Sequence, residues 1–277
     1  MKRIFNANFE ESMNLVTENY IKASLNDINQ KGIIRKLIGS FTIVLFIYLT
    51  FIGSSLIDKN GVYYFNIKVS IIMQIILLIS LVVEILYISK ILGLSNARIL
   101  SFYYYNFYIY FLVFLFLLQT IILMIAGAGI TLGSLFSSII FTIIYLIILI
   151  ERWSWFKKRN LKSLYENTQQ ENKLAICMEK FVEFSKKYGG IVILGIMFIR
   201  FFFPIQNTDF FKSIGVVIFP LLPTIGVYFC VALASDNIKG YYLKKYLEDY
   251  RQLSGYSIEE WYGKKYLKKH KELIKKD

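Results

Sequence analysis

The residues able to do chemistry are few. The chain has 277 residues and a single histidine, His270, which sits in a lysine-rich stretch. A histidine-based triad or a histidine-containing metal centre inside an apolar bundle is therefore excluded by count. Neither a G-x-x-x-x-G-K-[ST] loop nor a G-x-G-x-x-G turn occurs, so the two familiar phosphate cradles are missing. Cys177 and Cys230 are far apart in sequence with no histidine nearby. They read as packing residues and not as a disulfide or a zinc pair. The expectation is a protein that is not an enzyme and needs neither cofactor nor metal.

Ionisable and amide residues inside apolar runs are the remaining candidates, because burying them in hydrocarbon is costly. Glu84, in ISLVVEILYISK, lies about 15 residues, or roughly 22 Å at 1.5 Å per residue, from the outer end of its run. That places it near the inner interface. Glu151 and Asp236 end two other runs at a similar level. Such an acidic cluster suits a cation or a basic partner, or simple pairing of each carboxylate with a neighbouring Lys or Arg. Arg200, in GIMFIRFFFPIQN, sits in the outer leaflet and can snorkel to the surface. Gln74 and Gln119 lie deeper and suit hydrogen bonds between helices. No connected chain of acids, as in a proton pump, is present.

These residues must be positioned by membrane helices. Of the chain, 56% is hydrophobic and 18% charged, against about a quarter charged in soluble domains. The charges fall between apolar runs. A run of about 20 apolar residues spans the hydrocarbon core as a helix, and six are read: 37–57, 69–89, 106–127, 131–150, 190–204 and 213–235. The fifth is the shortest. The fold class is all-α, a polytopic bundle. Residues 1–36 form a cytoplasmic amphipathic segment, 37–235 the six-helix domain with a cytoplasmic loop over 151–189, and 236–277 a basic cytoplasmic helical tail. The polar opening stretch argues against a cleaved signal peptide. With both termini inside, 28 of the 32 Lys and Arg fall on cytoplasmic segments, as the positive-inside rule requires. Lys59, Lys68, Arg200 and Lys212 remain outside.

Residues 8–34 read as a helix opened by a capping box, Asn8 with Glu11. Phe9, Met13, Val16 and Tyr20 share one face. That helix lies either in the membrane interface or against the protein's own cytoplasmic loops. Gly129 and Gly133 fit either close helix approach or a hairpin turn. Pro220 and Pro223 are expected to kink the sixth span. In the tail, Ser257 with Glu260 forms a second capping box, starting a helix at Ile258. Trp261, Tyr262, Lys264, Lys265, Lys268 and Lys269 then read as an anchor on an anionic inner leaflet, with a docking site for an acidic partner or a plain solvated helix as the other readings. Nothing in the sequence offers a nucleic-acid-binding fold.

The stretch YYLKKYLEDYRQLSGYSIEEWYGKKYLKKHKE resembles the C-terminal signature of small polytopic membrane proteins of Firmicutes, several of them immunity partners at bacteriocin or secreted-toxin loci. The resemblance covers about 35 of the 277 residues and brings no catalytic motif. It implies an immunity protein of a Gram-positive plasma membrane, protecting the cell by binding a membrane-active toxin or occluding its receptor. On that reading the outward segments matter, with Asp58, Lys59, Asp209 and Lys212 as partner-binding residues. The alternative is a six-helix permease subunit of an exporter driven by a separate cytosolic ATPase, which would dock on residues 160–187.

Overall fold

The computed structural model describes residues 3–59, 63–64, 67–94, 97–131, 135–166 and 219–276. Its helices are α1 (Phe9–Met13), α2 (Glu18–Lys59), α3 (Val69–Gly93), α4 (Arg98–Thr131), α5 (Leu135–Tyr165), α6 (Pro223–Lys245), α7 (Leu247–Ser254), α8 (Ile258–Tyr262) and α9 (Lys264–Lys269). A short antiparallel hairpin, β1 (Tyr63–Tyr64) and β2 (Ile67–Lys68), joins α2 to α3 with Tyr63 opposite Lys68. The expected span 190–204 and the loop beyond Glu166 lie outside the described residues.

Among the described residues, four helical stretches are long and apolar enough to cross a membrane: Gly32–Lys59, Val69–Gly93, Arg98–Gly129 and Phe136–Tyr165. They coincide with the first four expected spans. Their outward faces carry large apolar side chains, among them Phe41, Leu45, Leu78, Ile85 and Ile147. Water would penalise such an exterior; lipid tails would not.

Helix α4 is central, packing on α2, α3, α5 and α6. Successive layers between α2, α3 and α4 are filled by Val44, Val83 and Leu112, then Ile47, Ile76 and Leu115, then Val69, Met73 and Ala126. A fourth cluster joins α4, α5 and α6 through Ile121, Ile125, Phe141, Tyr145 and Val227. The α4–α5 hairpin is tied by two serines: Ser137 donates to the Ala128 carbonyl at 3.3 Å and Ser138 to that of Ile125 at 3.1 Å. Where α6 meets α4, a Cβ added at Gly226 would fall 2.7 Å from Leu117 Cδ1, so the leucine tip would have to move.

Two local expectations are corrected. The segment over 8–34 is not one helix. The capping box at Asn8 forms, with both reciprocal bonds at 2.8 Å, but α1 stops at Met13. Helix α2 starts afresh at Glu18, where the Thr17 hydroxyl accepts from the Tyr20 amide at 3.3 Å. Met13, expected to share a face with Phe9, Val16 and Tyr20, is exposed, whereas Val16 is buried. Nor does Pro223 kink a helix. It starts α6, just after a 3-10 turn over Phe219–Leu221 that contains Pro220. At the first helical positions the missing N–H costs nothing, because that donor has no partner within the helix.

A cap closes one end of the bundle. Its core is Ala7, Leu15, Val16, Ile21 and Leu25 from the N-terminal segment, Phe156 and Leu164 from α5, and Ile238, Tyr242, Leu243, Tyr250, Trp261, Tyr262 and Leu267 from α6 to α9. Tyrosine hydroxyls stitch the two terminal segments together. Tyr246 donates to the Ala7 carbonyl at 2.8 Å, and Tyr242 donates to the Ile4 carbonyl while accepting from the Ala7 amide at 3.2 Å. The Ser12 and Tyr250 hydroxyls bond at 2.7 Å. Of the two environments open to the N-terminal helix, it packs on the protein's own segments.

Candidate functional site

One group of polar residues inside the bundle, Asp27, Lys36, Ser40 and Glu84, lies at the cap end of α2 and α3. Glu84 is buried, and its Oε1 accepts from the Ser40 hydroxyl of α2 at 2.8 Å. Among the described residues no Lys or Arg pairs with it, and its Oε2 has no hydrogen-bond partner. A single hydroxyl thus supplies the hydrogen bond that a buried carboxylate requires. Next to it is a feature the sequence did not suggest. Lys36 and Asp27, both in α2 and both buried, form an ion pair. The Lys36 ammonium also lies 4.7 Å from the Tyr105 ring centre and 6.0 Å from that of Phe102, both on α4.

Residues nine apart on a straight helix are about 13 Å apart along the axis, beyond ion-pair reach. The chain closes that gap with a break at Gly32, whose φ of 65° and ψ of 159° are open to glycine but strained for other residues. The break bends Asp27 back over Lys36. Pairing rules of i,i+3 and i,i+4 do not look for such a contact. The only sequence signal was a glycine at the junction between an amphipathic and an apolar stretch.

Gln119 and Gln74 part company. Gln119 is fully buried, accepts from the Thr50 hydroxyl of α2 and donates to the Met73 carbonyl of α3 at 3.4 Å. It links three helices. Gln74 is on the outward face of α3 and exposed, so an interhelical role within this chain does not fit its placement.

The other acidic residues are paired locally. Glu151 pairs with Arg152, whose guanidinium also covers Tyr228 of α6 at 4.4 Å. Asp236 pairs with Lys239 at 3.2 Å. Among the described residues, no group of three or more His, Cys, Asp or Glu lies together as metal ligands would.

Of the residues expected on the outer side, Asp58 has a structural task. Its two carboxylate oxygens accept from the Val69 and Ser70 amides at 2.9 and 3.1 Å. It thereby caps the first turn of α3, whose own N-cap position, Lys68, provides no side-chain bond. A carboxylate there also complements the positive end of the helix dipole. Lys59 is exposed. Arg200, Asp209, Lys212 and Cys177 lie outside the described residues.

In the tail, the capping box at Ser257 is formed, with the Ser257 amide donating to Glu260 at 3.0 Å. That contact and the Ser257 hydroxyl hold the Glu260 carboxyl below the usual carboxylate range. Trp261 is fully buried and Tyr262 nearly so, both in the cap core. The two aromatic rings expected at a membrane surface are therefore turned into the protein. Lys264, Lys265, Lys268 and Lys269 are exposed around them. Any lipid contact made by this tail would rest on its lysines.

No family model matches the chain, and no curated protein or solved structure matches it.

Proposed function

We propose that this chain is a non-enzymatic integral membrane protein of a bacterial plasma membrane, acting as an immunity protein against a membrane-active toxin or bacteriocin. It has six spans, with both termini and the cap on the cytoplasmic side. The observation that carries this reading is the use made of polar groups inside the bundle. Ser40 with Glu84, Lys36 with Asp27, and Thr50 with Gln119 each hold helix segments together. Carriers build their sites from discontinuous helices near the midplane; α3, α4 and α5 each run unbroken. A rigid bundle fits a protein that works by binding.

The permease alternative needs a free cytoplasmic helix for an ATPase. The described part of its docking region, 160–166, is already occupied. Asn160 and Leu164 are buried, Asn14 donates to the Leu164 carbonyl at 3.0 Å, and Tyr165 donates to the Arg3 carbonyl at 2.9 Å. That occupancy supports immunity over export.

The test is to tag the N-terminus, extract the protein from its native membrane in mild detergent and identify stoichiometric partners by mass spectrometry. A small membrane-active polypeptide is expected, and D209K or K212E should then weaken protection at unchanged membrane levels. A stoichiometric ATPase would contradict the reading.

A further inference from the structure

At the end of α3 next to the cap, two cations converge on one phenol. The Lys90 ammonium, in the last turn of α3, lies 4.8 Å from the ring centre of Tyr104. The Lys244 ammonium, in the last turn of α6, lies 4.7 Å from the same centre and 4.9 Å from that of Tyr103. Lys244 also donates to the Tyr104 hydroxyl at 2.9 Å. The two nitrogens are therefore at most 9.5 Å apart. Among the described residues neither has a carboxylate within ion-pair distance, whereas other lysines, Lys22, Lys36, Lys239 and Lys264, do.

Two like charges held beside one neutral ring lack a counter-charge. An anion between them would supply it. A phosphate group that accepts a bond of about 2.8 Å at each of two oxygens can bridge donors up to roughly 8 Å apart, and both ammonium groups are held within 5 Å of one ring centre. Lys90 is exposed, so it can adjust its reach. The Tyr104 hydroxyl accepts from Lys244 and still has its own proton to donate.

The surroundings select the kind of phosphate. From Lys90, the outward face of α3 continues through Leu86, Val82 and Leu78, all exposed. Leu86 is one turn from Lys90 and Val82 one turn further, so the stripe is continuous. From Tyr104, α4 continues with exposed Phe107, Phe111 and Phe114. A charged head at Lys90 and Lys244 with two apolar stripes leading away from it is amphiphilic, as a phospholipid is. Basic pockets between membrane helices bind anionic headgroups in the same manner.

We propose that Lys90, Lys244 and Tyr104 form a binding site for the phosphate of an anionic phospholipid, with its acyl chains along α3 and α4. The site is separate from the exposed tail lysines and does not depend on the immunity reading.

The test is native mass spectrometry of the purified full chain, titrated with phosphatidylglycerol and with phosphatidylcholine. The wild type should bind phosphatidylglycerol in preference. The K90Q/K244Q variant should lose that preference at about fivefold per lysine, and K157Q/K158Q, at two exposed lysines of α5, should keep it. Retained preference in K90Q/K244Q, or an equal loss in K157Q/K158Q, would overturn the site. Should K90Q/K244Q fail to fold, K90Q alone and Y104F serve instead, since one alters an exposed side chain and the other removes only a hydroxyl; each should show a partial loss, and retention by both would overturn the proposal. Inorganic phosphate distinguishes the source. If it stabilises the wild type through Lys90 and Lys244 while the two lipids bind alike, the occupant is free phosphate and the lipid assignment fails.

Discussion

Buried and exposed residues of one type behave here as different chemical objects. Gln119 bonds to two neighbouring helices, and Gln74 faces outward with the apolar side chains of α3. Interhelical side-chain bonds in membranes average about 0.6 kcal/mol, with a maximum near 1.7. Q119L should therefore lower the thermal stability of the detergent-solubilised protein by an amount in that range, and Q74L should leave it unchanged or raise it. Equal effects would mean that the helix rotation of α3 is wrong. Both glutamines were evident in the sequence as polar residues in apolar runs; which of them pointed inward was not, because α3 has apolar residues all round and no periodicity to orient it.

Tyr250 carries a second prediction at the residue scale. Burial in the cap pushes its phenol up to about 12, with the Ser12 hydrogen bond opposing that rise. A phenol whose folded value is raised holds its proton longer in the folded state. Its contribution is therefore fully present below the ordinary value near 10 and is lost as pH rises from about 10 towards 12. The cap should loosen over that alkaline interval, seen as late-titrating tyrosinate absorbance, and Y250F should remove one late-titrating group. Titration of every tyrosine near pH 10 would count against a closed cap.

Among the elements, α2 shows how a break can organise a helix. Without the positive φ at Gly32, Asp27 and Lys36 would lie about two and a half turns apart. No side chain crowds Gly32, so the cost of replacing it is conformational. G32A should destabilise the protein by about 1–3 kcal/mol, measured by thermal unfolding in detergent. An effect near zero would show that the helix can run straight and the ion pair is dispensable. Gly240 imposes a different constraint. An added Cβ there would lie 3.0 Å from the Tyr103 ring and 3.2 Å from the Tyr20 hydroxyl. G240V should cost about 1–3 kcal/mol by overpacking, because neither aromatic side chain can retreat without disturbing α4 or α2. The first four spans were legible from apolar length alone, and both capping boxes from four-residue patterns. The division of 8–34 into two helices was not, since Asn14 to Thr17 contain neither Gly nor Pro. Pro223 misled because its position relative to a helix start decides whether it breaks or begins one.

For the molecule as a whole, the cap is what sequence reading could least supply. Its core gathers Ala7 and Leu15 with Leu164 and Trp261, bringing together segments far apart in sequence that local patterns do not connect. The tail's aromatic residues were visible, yet apolar rings beside lysines look alike whether they meet lipid or protein. Burial of Trp261 makes its loss expensive: W261A should cost about 3–5 kcal/mol and expose the junction between α1 and α2 to protease. Undiminished protection there would place Trp261 outside the cap core.

We propose that the bundle crosses the membrane with its cap inside and the α2–α3 hairpin outside. In a background with both cysteines replaced by serine, K59C and K265C introduce single thiols at exposed positions on those two regions. Labelling intact cells with a membrane-impermeant maleimide should modify K59C directly and K265C only after lysis. Both thiols reacting from the same side would contradict the account.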